Sequence, residues 1–468
     1  MRSSRDGHLC LTSSDAPELP IEILGDGTDL LPKTPIIKQA NRYYLQRNWV
    51  YETYILKQVK RLREIKLTDT FPVEVQSNLL PAQRNAIENA IGNAFSIICG
   101  GPGTGKTYTA GCLVKTLLSG SSKKNKFRVA LGAPTGKAAA HLKSVLGAVD
   151  AQVEAATLHR LLKVTPGQTP LFSNKKIDAD LVIIDEASML DVPLLARLLE
   201  SIGNETRLVL MGDPNQLPPV EAGSLFSEMA TLFGTELKQS VRTENTNLLC
   251  LAEEINSGKF TKDECLLDWE FDATFPKKLF EKTKPIISWD RPDPAICLKM
   301  LNEFRILGAL RQGPFGTEAL NSQIVREMNQ QIQPGQWWAI PIMITANVPQ
   351  QDLYNGSCGI LIGQSSFGIV LREANAYFPE KVPFHLLPPF EVAFCLSIHK
   401  SQGSEFEHVL ALFPQGSENF GRESLYTAVT RAKKSVEIVA DSMCLKAMLS
   451  KRLNKTSGFT SRIQEGEK

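Results

Sequence analysis

The chain has 468 residues, too many for one ordinary domain, and its 43% hydrophobic and 22% charged residues exclude a disordered, collagenous or coiled-coil protein. Fifty-two basic against fifty acidic side chains leave a formal +2, so bulk charge identifies no partner, although a local basic groove stays open. No apolar run approaches the ~18–20 residues that span a bilayer, and Met1–Pro20 has no apolar signal core, so a cytoplasmic protein without a membrane partner is expected.

Residues 1–35 are rich in proline and aspartate, with weak periodicity. Arg42–Lys66 is expected to be a helix carrying Tyr43, Tyr44, Trp49, Tyr51 and Tyr54, basic on its other face, so 1–75 is expected to form a small N-terminal helical domain. From Pro81 short apolar strands alternate with amphipathic helices: Phe95–Cys99, Arg128–Leu131, Leu181–Ile184 and Arg207–Met211. Such alternation predicts a parallel sheet covered on both faces over 76–235. Residues 261–294 look like an irregular surface excursion, and Phe304–Leu310 is a strand again. Over 340–392 short β-like runs between Asn-Gly, Gly-Gln and proline turns predict a small antiparallel β-barrel. It interrupts a second α/β unit, whose parts are 236–339 and 393–468. The nine cysteines form no C-x-x-C pair and the six histidines show no zinc spacing, so free thiols and no structural metal are expected.

Gly100-Gly101-Pro102-Gly103-Thr104-Gly105-Lys106-Thr107 fits G-x-x-x-x-G-K-[ST] between a strand and a helix. Its glycines let backbone N–H groups converge on phosphate oxygens at a helix N-terminus. Lys106 would hold the β- and γ-phosphates of ATP, and Thr107 would ligate Mg²⁺. Asp185 and Glu186 follow a buried apolar strand, where ligands bind in parallel sheets. Asp185 is the candidate Mg²⁺ ligand, and Glu186 the group that orients or deprotonates the attacking water. Gln216, in Gly212–Leu217 after the next strand, could present its amide to the γ-phosphate or that water.

With these three sites in order, the sequence resembles a superfamily 1 helicase, and most of all the RecD family, the alpha subunit of exodeoxyribonuclease V. Leu80-Pro-Ala-Gln83 looks like the Q motif, Ala133–Ala139 like motif Ia, and Ala156–Arg160 like the DNA-contacting motif that follows. Asp185–Met189 and Gly212–Leu217 resemble motifs II and III, Arg242 sits where motif IV has its arginine, and Ser397–Glu405 and Leu425–Lys433 resemble motifs V and VI. Tyr43–Glu52 and Leu307–Gly316 with Asn321 resemble family segments outside the motor. The first domain is shorter here than in many members, and Ser357 stands where an acid usually follows Asn-Gly.

The resemblance implies an α/β fold of two RecA-like P-loop domains that trap ATP between them. It implies that Gln83 reads adenine, that Gly403 and Glu405 join the nucleotide site, and that Arg242 and Arg431 stabilise the transferring phosphoryl. It implies DNA contacts at Pro134, Thr135, Lys137, Thr157, His159, His399, Lys400 and Ser401, and a strand-splitting hairpin over 163–176 with Phe172 at its tip. It implies 5′→3′ movement, DNA ends and single strands as substrate, and RecB-like and RecC-like partners. Trp337-Trp338 is expected to pack internally. A stand-alone helicase on DNA or RNA is the alternative. A nuclease is disfavoured because no clustered Asp/Glu-Lys set follows Arg431, and a vestigial ATP site because every phosphate-handling residue is present.

Overall fold

In this computed structural model the described residues are 7–12, 14, 24–27, 33–67, 79–120, 127–146, 154–164, 175–219, 223–239, 246–283, 286–346, 348, 355–364, 367–372, 382–383, 387–453 and 455–466. They divide into two units, 1–242 with 454–468, and 243–453.

The first unit opens with a small sheet rather than a purely helical domain. Strands β1 (Cys10–Thr12), β4 (Arg42–Leu45), β3 (Ile36–Gln39) and β2 (Leu24–Gly25) pair in that order. Arg42–Leu45 is thus a strand, because Tyr43 and Tyr44 alternate across β4 and leave only Tyr44 fully buried. Helix α1 (Gln46–Glu64) follows directly.

The main sheet has the order β10 (Gly234–Glu236), β5 (Phe95–Cys99), β9 (Arg207–Gly212), β8 (Leu181–Ile184), β6 (Val129–Ala133), β7 (Glu154–Thr157), all parallel. Its central strands are buried at every residue because helices cover both faces. Neighbouring residues serve opposite cores. Ile97, Ile184 and Leu210 pack beneath α1 and α5 (Val192–Ser201), whereas Ile98, Ile183 and Val209 pack with α2 (Pro81–Gly92) and α3 (Lys106–Gly120). Helix α4 (Gly136–Leu146) follows β6, and α6 (Phe226–Phe233) leads into β10.

In the second unit α7 (Thr246–Asn256) comes first. Residues 261–294 are not a surface excursion. Helix α8 (Phe275–Thr283) buries Phe275, Leu279 and Phe280, with Trp269, Phe271 and Phe315 ringed around Phe275. Strand β11 (Ile286–Ser288), helix α9 (Pro294–Glu303), β12 (Phe304–Gly308) and α10 (Thr317–Gln331) follow. The antiparallel insertion runs β11, β13 (Trp337–Ile344), β14 (Cys358–Gln364), β15 (Phe367–Arg372), β16 (Val382–Pro383), with β17 (Phe390–Val392) following β11 along the edge of β13 away from β14. It therefore starts before residue 340, and its pairing among the described residues is an open path rather than a closed barrel. Trp337 is buried and the Trp338 ring lies over Gly363, an internal packing role. The second parallel sheet has the order β18 (Cys395–Ser397), β12, β19 (Phe406–Phe413), β20 (Ala432–Ala440), with helices α11 (Gly421–Val429) and α12 (Ser442–Ser450).

The C-terminal segment belongs to the first unit, not to the second as the sequence suggested. Helix α13 (Phe459–Gly466) packs on α1 and α6, burying Phe459. Arg462 donates to Glu52 Oε1 at 2.9 Å, Gly458 N–H to Glu52 Oε2 at 3.0 Å, and Thr460 Oγ1 to Glu228 Oε2 at 2.7 Å. No helix among the described residues is long and apolar enough to cross a membrane.

Candidate active site

In a parallel sheet every strand ends on the same edge, so the loops after β5, β9, β8, β6 and β7 line up there. These are the phosphate loop, Gly212–Leu217, Asp185-Glu186, Ala133-Pro134-Thr135 and Thr157–Arg160.

The phosphate loop leaves β5 at Gly100, where only a glycine fits: a Cβ would stand 2.6 Å from Leu237 O and 2.9 Å from Thr104 Oγ1. Gly103 and Gly105 have φ of +72° and +83°, a left-handed backbone that glycine adopts without strain. Helix α3 then begins at Lys106, with Pro102 in the turn before it. Lys106 Nζ folds back and donates to Gly100 O at 2.7 Å and Gly101 O at 3.0 Å. Thr104 is buried and its hydroxyl donates to Gly101 O at 2.9 Å, so it shapes the loop. Gln83 is buried too. Its Oε1 accepts from Leu80 N–H at 3.1 Å and its Nε2 donates to Thr104 O at 3.3 Å. Its amide thus ties the start of α2 to the phosphate loop. One N–H of Nε2 and one lone pair of Oε1 remain for a further partner.

Asp185 is buried at the end of β8. Burial pushes its carboxyl pKa up, opposed by the Glu186 N–H donated to Oδ1 at 2.9 Å and by the Lys106 charge. A buried carboxylate whose burial outweighs its partners fits a hard cation such as Mg²⁺. Glu186 has φ +52° and ψ +38°, a left-handed conformation that costs a non-glycine residue of order 1 kcal/mol or more. It breaks the strand and starts a helical turn over Ala187–Met189.

Sequence reasoning passed over Asp213, which organises the loop after β9. Its carboxylate accepts from Asn215 N–H at 3.0 Å and from Gln216 Nε2 at 3.4 Å. The Gly-Asp-Pro-Asn string is the signal, since Asp at a turn start bonds its own backbone two residues on. Gln216 is buried and its Oε1 has no partner. That orphaned acceptor fits a residue whose partner arrives with nucleotide and water.

Thr135 Oγ1 accepts from Ala138 N–H at 3.2 Å, and Thr157 Oγ1 accepts from Arg160 N–H at 3.4 Å. Both hydroxyls cap helical turns, side by side because β6 and β7 are neighbours. Lys137 lies in the first turn of α4 and His159 in the turn after Thr157, both half-buried.

In the second unit the segment after β18 forms a helical turn, His399–Ser401. Lys400 Nζ donates to Glu391 Oε1 at 2.6 Å, and the His399 ring stands edge-on to Phe420 at 6.1 Å. Ser401 is fully buried and its hydroxyl donates to Ile398 O at 2.7 Å. This side chain is closed inside its own turn. Gly403 is left-handed at φ +73°, and Glu405 is half-buried beside it. Arg431 is buried, donating to Ser404 O at 3.2 Å, with its Nε unpartnered. Phe406 N–H donates to Arg431 O at 2.8 Å, so Ser404–Phe406 and Arg431 are held together. Arg242, Phe172 and the 165–174 part of the hairpin lie outside the described residues.

Residues 83–222 match the model of an AAA domain, and 392–439 that of the UvrD-like helicase C-terminal domain. The chain is 31% identical to the RecBCD enzyme subunit RecD of Mycolicibacterium smegmatis, over 99% of this chain and 92% of that protein. It is 30% identical to the same subunit of Haemophilus influenzae, over 92% and 81%. It is 27% identical to the ATP-dependent RecD2 DNA helicase of Deinococcus radiodurans, over 77% of this chain and 49% of that one. Among solved structures, the Pif1 helicase of Candida albicans aligns with TM-score 0.49 at 17% identity, covering 83% of this chain and 99% of that one. The two parallel sheets are consistent with two RecA-like domains. With a phosphate loop inside its AAA match and a relative 31% identical over nearly its whole length, the chain belongs to the RecD family of superfamily 1, UvrD-like helicases and is an ATP-dependent helicase.

Proposed function

We propose that this ATP-dependent DNA helicase is the alpha subunit of a RecBCD-type complex, moving 5′→3′ along one strand to unwind DNA ends during break repair. The observation that carries the motor reading is the shared edge of the first sheet. The phosphate-handling loops follow β5, β9 and β8, and the candidate strand-contacting caps follow β6 and β7 next to them. The Asp185 loop after β8 is therefore one strand spacing from the cap after β6, and the phosphate loop after β5 is three. Similarity supports the subunit reading over a stand-alone helicase. The chain is 31% identical to the RecBCD subunit of M. smegmatis over 99% of its own length, but 27% identical to RecD2 over 77%.

In this reading Lys106 exchanges its two loop carbonyls for β- and γ-phosphate oxygens. Thr107 and Asp185 would hold Mg²⁺, which would supply charge neutralisation on the phosphoryl group. Glu186 takes a proton from the attacking water, Gln216 orients it, and the guanidinium groups of Arg242 and Arg431 stabilise the equatorial oxygens. Pro134, Thr135, Lys137, Thr157 and His159 in the first unit, and His399 and Lys400 in the second, grip the strand, and Phe172 parts the duplex.

The test is ATP hydrolysis by the purified chain with and without single-stranded DNA, beside Lys106→Ala, followed by unwinding of duplexes with 5′ or 3′ overhangs. DNA-stimulated hydrolysis lost in the variant, and unwinding from the 5′ overhang alone, is the expected result. Hydrolysis without stimulation, even after RecB-like and RecC-like partners are added, overturns the motor reading.

A further inference from the structure

A cavity of about 500 Å³ lies in the second unit, lined among others by Arg311, Glu318, Asn321, Glu391, Ser397 and Lys400. It sits at the carboxyl-terminal edge of the parallel sheet, since Arg311 comes just after β12 and Ser397 ends its neighbour β18. Two cations line it, and a carboxylate holds each. Arg311 Nε donates to Glu318 Oε1 at 2.7 Å, and Lys400 Nζ to Glu391 Oε1 at 2.6 Å. The four side chains are 63%, 50%, 35% and 38% exposed.

Ion pairs so exposed add little to folding. Their position matters more than their strength. Glu318 stands in the first turn of α10 and Glu391 on β17 of the antiparallel insertion, so two separate elements each bring one carboxylate to one cation. The spacing is held by Asn321, whose Nδ2 donates to Cys395 O and whose Oδ1 accepts from Cys395 N–H, both at 2.8 Å. That two-ended bond fixes α10 against β18 and the Lys400 turn that follows.

We infer that Glu318 and Glu391 are internal competitors of DNA phosphate. They occupy Arg311 and Lys400 until a strand enters the cavity, and they take the cations back when it leaves. A planar guanidinium and a compact ammonium both bind phosphate oxygens as readily as carboxylate oxygens. The bond to Glu318 uses only the Nε edge of Arg311, leaving the outer N–H groups of the fork for a phosphate. A translocating motor must release its grip in every cycle, and a carboxylate at hand for each cation speeds release. The inference rests on the DNA-motor reading and adds Arg311, Glu318 and Glu391 to it as residues that set the strength of the grip.

The experiment is binding of a labelled oligothymidylate to the full chain by fluorescence anisotropy across a salt series, for wild type, Glu318→Gln/Glu391→Gln and Arg311→Ala/Lys400→Ala. Freed carboxylates take up counterions in the wild type and mask part of the release from phosphate. The glutamine variant should therefore bind about three- to tenfold tighter at low salt. Its log–log salt slope should be steeper by up to about 1.4, near 0.7 for each cation on single-stranded DNA. The alanine variant should bind more weakly with a shallower slope, and each single glutamine variant should give about half the slope change. Unchanged affinity and slope in a glutamine variant that melts like wild type, while wild type binds DNA, overturns this inference and leaves the motor reading standing. No binding by any form, even after RecB-like and RecC-like partners are added, overturns both.

Discussion

Arg462 and Glu52, 410 positions apart, form an ion pair at 2.9 Å inside the first unit, where the carboxylate is completely buried and the Tyr44 hydroxyl donates to it as well. A charge in that position is tolerated because Gly458 N–H and Arg462 satisfy both of its oxygens. Arg462→Ala should therefore cost about 3–5 kcal/mol of unfolding free energy in urea, because it strands a buried carboxylate. Glu52→Gln on the same background should restore part of the loss. If Arg462→Ala melts like wild type, the C-terminal helix is not needed to hold the first unit together.

Lys455, in the same segment, is half-buried, and burial pushes its ammonium down from 10.5 to about 8. Between those two values the unfolded chain binds more protons than the folded one, so stability rises as pH climbs from about 8 to about 10.5. Below about 8 the lysine is charged in both states and the burial penalty is present in full. Lys455→Met should be more stable than wild type at neutral pH by up to about 3 kcal/mol, with the difference shrinking across that window. Urea titrations at pH 7 and pH 10 give the comparison, and a difference independent of pH refutes the assignment.

The left-handed backbone at Glu186 predicts a trade of function against stability. Glu186→Gly should raise stability by about 1 kcal/mol by removing the strain, and lower the rate of ATP hydrolysis about 10²- to 10⁴-fold by removing the proton acceptor. Glu186→Gln should show the second effect without the first. Loss of stability in the glycine variant would mean that the Glu186 side chain holds the turn.

Gly100→Ala introduces a Cβ against the Leu237 carbonyl, an atom of the backbone that cannot swing away. The variant should fold, lose about 1–3 kcal/mol, and bind ATP analogues at least tenfold more weakly because the loop is displaced. Calorimetric titration of a non-hydrolysable analogue measures it. Unaltered affinity would show that the loop reshapes freely.

Thr135 and Thr157 show how far the linear chain carries. Their strings mark them as candidate DNA contacts, but their hydroxyls cap turns, which only the fold shows. Thr135→Val should lower stability by about 1 kcal/mol along with DNA stimulation, whereas Thr135→Ser keeps both. A valine variant that loses stimulation alone would assign the hydroxyl to the DNA and not to the cap.

The sequence by itself determined which residues of the first unit are candidates for phosphate chemistry. A phosphate loop must follow a buried strand and open a helix, so Lys106, Thr107, Asp185, Glu186 and Gln216 could be nominated from spacing and local residue type. Local signals are strong there because backbone conformation and burial are set within a few residues. What only the tertiary structure decided depends on partners far away in the chain. The order β10-β5-β9-β8-β6-β7 puts the strand caps beside the phosphate loops. Gln83 is engaged by Leu80 and Thr104, and Ser401 is sealed by its own turn. Arg42–Leu45 became a strand because β1 and β3 lay on either side to pair with it. Phe275, Leu279 and Phe280 turned a charged stretch into core, and Arg462 carried the end of the chain back to Glu52. Periodicity records which face of an element is apolar but not what it meets, and that meeting is decided by burial and hydrogen bonding over the whole chain.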